Sequence, residues 1–282
     1  MSPKLLLTLI SFFQLGISQA GTKVVYGDDD RFEPYERPQY FTQSQSVAAM
    51  INKSNLGFES LDGFNISART HQQAYGLCSG SKFIDQPILA HCSGSLVAED
   101  VILTAGHCVE SDFDCTNFDW VFGYEMNQKT GNPKKFEKKN IYHCKDVIAQ
   151  SSLNGFDYAL IKLDRKVMDR NPLKMATPQY RSQVGEPLLM LGFPSGLPLK
   201  ITESASVLKL EDHLLVTNLD AFHVNSGSPV LNQKTGKIIG ILVSGRPDYI
   251  QDPKQNCSIV NTLDNSMGGE RVTSLFVVPR DF

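Results

Sequence analysis

The sequence predicts an all-β fold, because its strand-like runs are short and rich in β-branched and aromatic residues. The 282-residue chain also contains 21 Gly and 14 Pro, which supply turn signals between the runs. Regular helical periodicity is weak and is confined to Gln45–Ile51, where at most a short helix is expected.

From Cys92 onward, eight runs carry the strand pattern. In chain order they are Ser93–Ala98, Val101–Thr104, Trp120–Tyr124, Tyr158–Leu163, Pro187–Leu191, Leu214–Thr217, Pro229–Leu231 and Ile238–Val243. The polar stretch Asp164–Tyr180 has no core pattern and is expected to link two halves of the chain. The chain is long enough for one large core or two small ones.

The first twenty residues have the pattern of a secretory signal peptide. Lys4 supplies the positive charge, Leu5–Ile17 the apolar stretch, and Ser18–Ala20 the small residues of a cleavage site. A membrane anchor is the weaker interpretation, because the 13 apolar residues are too few to span about 30 Å of hydrocarbon. A secreted protein without a membrane span is therefore expected.

Residues 21–45 are polar, include the acidic run Asp28–Asp30, and are expected to form an amino-terminal arm or short pro-segment outside the core. Cleavage after Lys23 would release Val24; the alternative is a mature protein that begins at Gly21. The net charge of −3 argues against nucleic acid or an anionic membrane as the main partner.

An even number of cysteines follows the predicted signal peptide, which in an exported chain indicates up to three disulfides. Six cysteines allow fifteen pairings, and the sequence does not choose among them. Cys115 and Cys144 flank a hairpin expected within Trp120–Tyr142, which favours joining these two. No Cys-x-x-Cys pair is present, so a metal site is not expected. No cofactor is expected either. The six are Cys78, Cys92, Cys108, Cys115, Cys144 and Cys257.

Three short segments contain the residue types needed for nucleophilic catalysis. They are Thr104–Cys108 (TAGHC), Asp157–Leu163 (DYALIKL) and Asn225–Val230 (NSGSPV). Taken singly, each has an ordinary structural explanation as a buried histidine, a turn aspartate or a polar loop. Their order along the chain, His then Asp then Ser, matches one of the known serine-protease triad orders.

Segment by segment, the three resemble the TAAHC, DIALL and GDSGGP signatures of the trypsin/chymotrypsin-like serine proteases. Within that family, the Asn-Ser-Gly-Ser-Pro form and the short spacing from Asp157 to Ser226 are most similar to the bacterial glutamyl-endopeptidase-like (V8-like) members. The resemblance covers roughly residues 85–246.

The resemblance implies two six-stranded antiparallel β-barrels side by side, with the active site in the cleft between them. Residues 46–170 would form the first barrel with His107 and Asp157, and residues 171–282 the second with Ser226. It also implies a Cys92–Cys108 disulfide around the histidine, which leaves Cys78–Cys257 by elimination.

The resemblance also assigns catalytic roles. Aligned on Ser-Gly-x-Pro, Ser226 would be the nucleophile and Ser228 would replace the family's second glycine. A serine hydroxyl attacks at neutral pH only if a base takes its proton. His107 would be the general base and acid, because its ordinary pKa lies near the working pH, and Asp157 would orient it. The implied function is a secreted, monomeric serine endopeptidase acting on polypeptides.

The backbone amides of Val224 and Ser226 would form the oxyanion hole, but Val224 stands where the family nearly always has glycine. A β-branched residue resists positive φ, so the loop would either carry strain of about 1–3 kcal/mol or turn its amide away. The alternative is therefore a catalytically weakened secreted homologue that acts as a binding protein.

Three further features are candidates for substrate contact. Asp220 has the position of trypsin's specificity aspartate and would either favour Arg or Lys or be an ordinary loop residue. His223 would line the pocket rim, and Val243, Ser244 and Gly245 would pair with substrate as an added strand. Leu242 stands where glutamyl endopeptidases carry a histidine, so strict glutamate specificity is not expected.

Overall fold

A computed structural model of the chain describes residues 24–60, 63–66, 68–153, 155–280 and 282. The predicted signal peptide (1–20) and Lys23 lie outside these residues. Within them, no helix is both long enough and apolar enough to cross a membrane.

Short strands dominate the described chain. In order they are β1 (Val25–Tyr26), β2 (Arg31–Phe32), β3 (Val47–Asn52), β4 (Leu56–Ser60), β5 (Gly63–Ile66), β6 (Ala90–Ala98), β7 (Val101–Thr104), β8 (Phe118–Phe122), β9 (Ile141–Ser151), β10 (Tyr158–Leu163), β11 (Pro187–Gly192), β12 (Lys200–Glu211), β13 (Leu214–Thr217), β14 (Pro229–Asn232), β15 (Ile238–Ser244), β16 (Tyr249–Asp252), β17 (Cys257–Val260), β18 (Thr262–Leu263) and β19 (Glu270–Ser274).

The helices are short. They are α1 (Phe41–Ser44), α2 (His71–Tyr75) and α3 (Asp112–Asn117), with single 3₁₀ turns at Pro34–Glu36, Pro38–Tyr40, Lys53–Asn55, Gly106–Cys108, Lys138–Asn140, Pro194–Gly196 and Leu275–Val277. The eight runs expected as strands all coincide with observed strands, with shifts of a few residues at their ends.

Six antiparallel strands close the first barrel, in the order β10-β7-β6-β3-β8-β9. The expected helical tendency of Gln45–Ile51 is wrong, because α1 ends at Ser44 and Val47–Ile51 belong to β3. All five residues of Val47–Ile51 are buried, so both faces of this strand are apolar and the alternation that marks a half-exposed strand is missing.

The second barrel also has six antiparallel strands, in the order β11-β14-β15-β19-β13-β12, and it closes through pairing of β12 with β11. The protein thus has the two closed barrels of the chymotrypsin fold. Residues 164–180 connect the barrels and form only a single bridge, between Met175 and Ile238.

The described part of the amino-terminal segment, residues 24–45, packs on the second barrel. β1 pairs with β18 and β2 pairs with β12. Val24 is fully buried, and so is the side chain of Arg31. The Arg31 guanidinium pairs with Asp29 and lies 3.9 Å above the centre of the Phe222 ring. The expectation that this segment lies outside the core is therefore wrong, since local pairing lets even its charged residues be buried.

Three disulfides join separate elements and have the expected pairings. Cys92–Cys108 joins β6 to the turn after β7, and Cys115–Cys144 joins α3 to β9. Cys78–Cys257 connects the loop of residues 70–88, which contains α2, to the hairpin of residues 246–260, which contains β16 and β17. These two segments are called the 70–88 loop and the 246–260 hairpin below.

Candidate active site

His107 and Asp157 lie at the ends of neighbouring strands of the first barrel. His107 is in the turn directly after β7, and Asp157 directly precedes β10, which pairs with β7. The Asp157 carboxylate contacts His107 twice, since Oδ2 lies 2.7 Å from the ring Nδ1 and Oδ1 accepts from the backbone N–H at 3.0 Å. The aspartate therefore holds both the ring and the backbone of the histidine.

Gly106 lets the histidine turn pack tightly against β9. A Cβ at this position would overlap the Ser151 carbonyl oxygen. The Gly106 carbonyl also accepts a hydrogen bond from Gln150 Nε2 at 3.0 Å. The turn that presents His107 is thus fixed by the strand beneath it.

The Ser226 loop of the second barrel is seated on the first barrel. Its Ser226 carbonyl accepts from Ser93 N–H at 2.8 Å. Gly227 has φ 83°, and a Cβ there would overlap Ser93 O and Thr104 Oγ1 and lie 2.9 Å from Ala105 N. Since Ala105 is two residues before His107, this contact brings the serine loop to the histidine turn.

The Cys92–Cys108 disulfide also lies at this junction. A ring nitrogen of His107 lies within 4.8 Å of both sulfur atoms, and Cys108 Sγ is 3.8 Å from Ser226 O. Because the sulfurs are bonded to each other, they offer no thiolate to a metal. The three predicted triad residues therefore converge where the two barrels meet.

Val224 has the backbone conformation of a glycine. Its φ is 77°, its side chain is buried, and its carbonyl accepts from Ser93 Oγ at 3.0 Å. The preceding His223 carbonyl accepts from Ser195 N–H at 2.6 Å. The His223–Val224 peptide is trans, so the Val224 N–H points to the side opposite Ser195.

Asp220 does not have the environment of an open specificity aspartate. It is 2% exposed, and its oxygens accept from the backbone N–H groups of Tyr26 at 2.7 Å and Asp30 at 3.0 Å. Burial raises its pKa to about 6. The expectation of a carboxylate that receives Arg or Lys is corrected, because the amino-terminal segment already occupies both oxygens.

The other expected substrate contacts lie beside the serine loop. Val243, Ser244 and Gly245 follow Leu242, whose carbonyl accepts from Gly227 N–H at 2.8 Å. All three are partly exposed, as an edge segment requires. His223 is exposed, and Asp248 Oδ2 accepts from its backbone N–H at 3.0 Å.

Sequence reasoning missed the residues that surround the second-barrel part of the site. The buried carboxylate of Glu270 lies beneath Gly245, where a Cβ would overlap it. Ser195 contacts the peptide before Val224 and Tyr249 contacts Ser195. These residues are far from the motifs along the chain, and no local pattern marks them.

The chain has recognisable relatives. A family model described as a trypsin-like peptidase domain matches residues 92–241. The thrombin-like enzyme saxthrombin of Gloydius intermedius is 33% identical over 118 residues, covering 39% of this chain and 42% of the relative, so the match spans about two fifths of that protein.

A solved structure of a Glu endopeptidase in complex with MPD superposes with a TM-score of 0.52. The match covers 90% of this chain and 96% of that one at 20% identity, which shows a shared fold and no more. The family model covers more than half of the 282 residues. The chain therefore belongs to the trypsin-like peptidase family.

Proposed function

We propose that this chain is a secreted serine endopeptidase that hydrolyses peptide bonds through an acyl-enzyme on Ser226. The observation that carries the proposal is the double contact of Asp157 with the ring and backbone of His107, next to the loop that holds Ser226. Three disulfides are consistent with an oxidising, extracellular compartment.

In the first step, His107 Nε2 takes the proton of the Ser226 hydroxyl as Oγ bonds to the substrate carbonyl carbon. Asp157 keeps the remaining ring proton on Nδ1 and stabilises the imidazolium that forms. The imidazolium then protonates the leaving amine, and a water activated by the same histidine releases the acyl group.

The backbone amides of Val224 and Ser226 would bind the oxyanion of the tetrahedral intermediate. One such donor contributes about 3–4 kcal/mol to transition-state stabilisation. The glycine-like φ of Val224 and the hydrogen bond that holds its preceding carbonyl away support this assignment. The substrate backbone would pair with the edge segment Val243–Gly245, with His223 at the rim.

The competing function, a binding protein with a weakened site, arose from the β-branched side chain of Val224. A β-branched residue at this position would either carry strain at positive φ or turn its amide away. Because Val224 has φ 77°, the observation favours an enzyme whose loop tolerates the strain.

Cleavage-site profiling on a peptide library tests the proposal. We expect the purified protein to cleave peptides and Ser226→Ala to lose about 10⁶-fold in kcat. Ser228→Ala should retain cleavage, because the Ser228 hydroxyl is buried against Asn225 Oδ1. An unchanged cleavage pattern in Ser226→Ala would contradict the proposal.

A further inference from the structure

We propose that Ser195, Tyr249 and His71 are positioning residues for the oxyanion hole. Their side chains form a continuous hydrogen-bonded chain from His71 through Tyr249 to Ser195, and the backbone N–H of Ser195 connects that chain to the carbonyl of the His223–Val224 peptide. This inference rests on the proposed function and names the groups that keep a valine in a glycine-like conformation.

Ser195 is held through its amide, its carbonyl and its hydroxyl. Its N–H donates to His223 O at 2.6 Å, its carbonyl accepts from the Tyr75 hydroxyl at 3.3 Å, and its Oγ lies 2.6 Å from the Tyr249 hydroxyl. The residue is 1% exposed and itself has a positive φ of 54°. Such a conformation persists only where the surrounding contacts determine it.

Tyr249 connects Ser195 to His71. The Tyr249 hydroxyl lies 2.6 Å from His71 Nε2, and the His71 ring is completely buried. Burial lowers the pKa of His71 to about 3, so the imidazole is neutral at working pH and adds no charge to the site. A neutral, buried partner fixes the hydroxyl without taking part in proton transfer.

The segments that supply these groups are tied to each other. Tyr249 belongs to the 246–260 hairpin and His71 to the 70–88 loop, which the Cys78–Cys257 disulfide joins. Backbone hydrogen bonds at Cys78 N to Ser258 O (2.9 Å) and Ser258 N to Gly76 O (2.8 Å) add to the tie. Asp248, next to Tyr249, accepts from His223 N–H.

The consequence is that His223 is held on both sides. Ser195 N–H fixes its carbonyl in the His223–Val224 peptide, and Asp248 fixes its N–H in the preceding peptide. If the Ser195 bond is lost, the peptide can rotate to relieve the positive φ of Val224, and the Val224 N–H leaves the hole. The Tyr249 hydroxyl should therefore matter for turnover, and it should matter because residue 224 is a valine.

A double-mutant cycle tests this directly. Tyr249→Phe and, as a second probe, Ser195→Ala are made in the wild-type chain and in Val224→Gly. In the wild-type background, each should lower kcat tenfold or more with KM within about threefold, since oxyanion binding acts only in the transition state. In the Val224→Gly background each should lower kcat less than about threefold, because glycine adopts positive φ without strain.

Tyr180→Phe is the matched control, since it deletes a tyrosine hydroxyl that hydrogen-bonds Glu186 elsewhere on the second barrel. It should leave kcat unchanged in both backgrounds. Equal losses from Tyr249→Phe in both backgrounds, no loss in either, or a raised KM with unchanged kcat would each overturn the inference.

A wild-type protein without turnover would instead refute the proposed function. The positioning role would then be tested by comparing crystal structures of the wild type and Tyr249→Phe. We expect the His223 carbonyl to leave Ser195 N in the variant. The same bond in both structures would overturn the inference.

Discussion

The two barrels hold their parts of the site in different ways. In the first barrel, His107 and Asp157 contact each other directly at the ends of paired strands, and the His107 side chain is 35% exposed. In the second barrel, Val224 is buried and strained, and its peptide is held by Ser195 and, through it, by Tyr249 and His71. The difference teaches that the proposed proton-transfer groups are placed by the pairing of adjacent strands, whereas the proposed oxyanion hole depends on segments distant in sequence.

Among the variants that probe this contrast, the one with the largest expected effect breaks the first-barrel contact. Asp157→Asn should lower kcat by about 10⁴-fold, because an amide cannot hold the same histidine tautomer. Steady-state kinetics on a peptide substrate measure the loss. Asp119→Asn is the control, since Asp119 Oδ1 also lies 2.7 Å from a histidine Nδ1, that of His143, outside the site. Similar losses from both variants would show that the Asp157 effect is not catalytic.

A second variant disturbs the junction between the barrels. Gly227→Ala should destabilise the fold by about 3 kcal/mol or more, because its Cβ would overlap Ser93 and Thr104 at positive φ. Gly131→Ala isolates the backbone strain, since Gly131 has φ 65° and no heavy atom within 4 Å of its Cβ. In urea unfolding, the free energy of unfolding should fall by only about 1 kcal/mol for Gly131→Ala. Equal losses would mean that the junction is loosely packed.

The smallest expected effect is a pH dependence of the unfolding free energy, which comes from Asp30 and Asp220, two carboxyl groups buried at the second barrel. Burial, followed by the charge of Asp220, raises the pKa of Asp30 far above its usual range. Because the unfolded carboxyl ionises near pH 4 while the folded one keeps its proton, the free energy of unfolding should fall as pH rises above that value.

Asp30→Asn removes this titration and keeps a hydrogen-bond donor toward Asp220. Between about pH 6.5 and 7.5, the unfolding free energy of the wild type should fall relative to that of Asp30→Asn, by up to about 1.4 kcal/mol per pH unit. Thermal or urea unfolding at both pH values measures it. A constant difference between the two proteins would contradict the buried, protonated state of Asp30.

The contrast between the barrels also explains what the sequence could predict. Eight strands were predictable, because their residue composition and flanking turn residues are local. The two-barrel fold was implied by the family resemblance, which three local motif segments carry. The burial of Arg31 against the Phe222 ring and the occupied carboxylate of Asp220 were not predictable, since each depends on a contact between segments distant in sequence. The contact between His71 and Tyr249 was not predictable for the same reason, because the two residues are distant in sequence.

The central claim, a serine nucleophile at residue 226 activated by His107, is tested most directly by reaction with a fluorophosphonate followed by peptide mapping. We predict a single adduct on Ser226 in the wild type, and little or none in His107→Ala under the same conditions. An adduct on Ser228, or no adduct in a folded wild-type protein, would contradict the account.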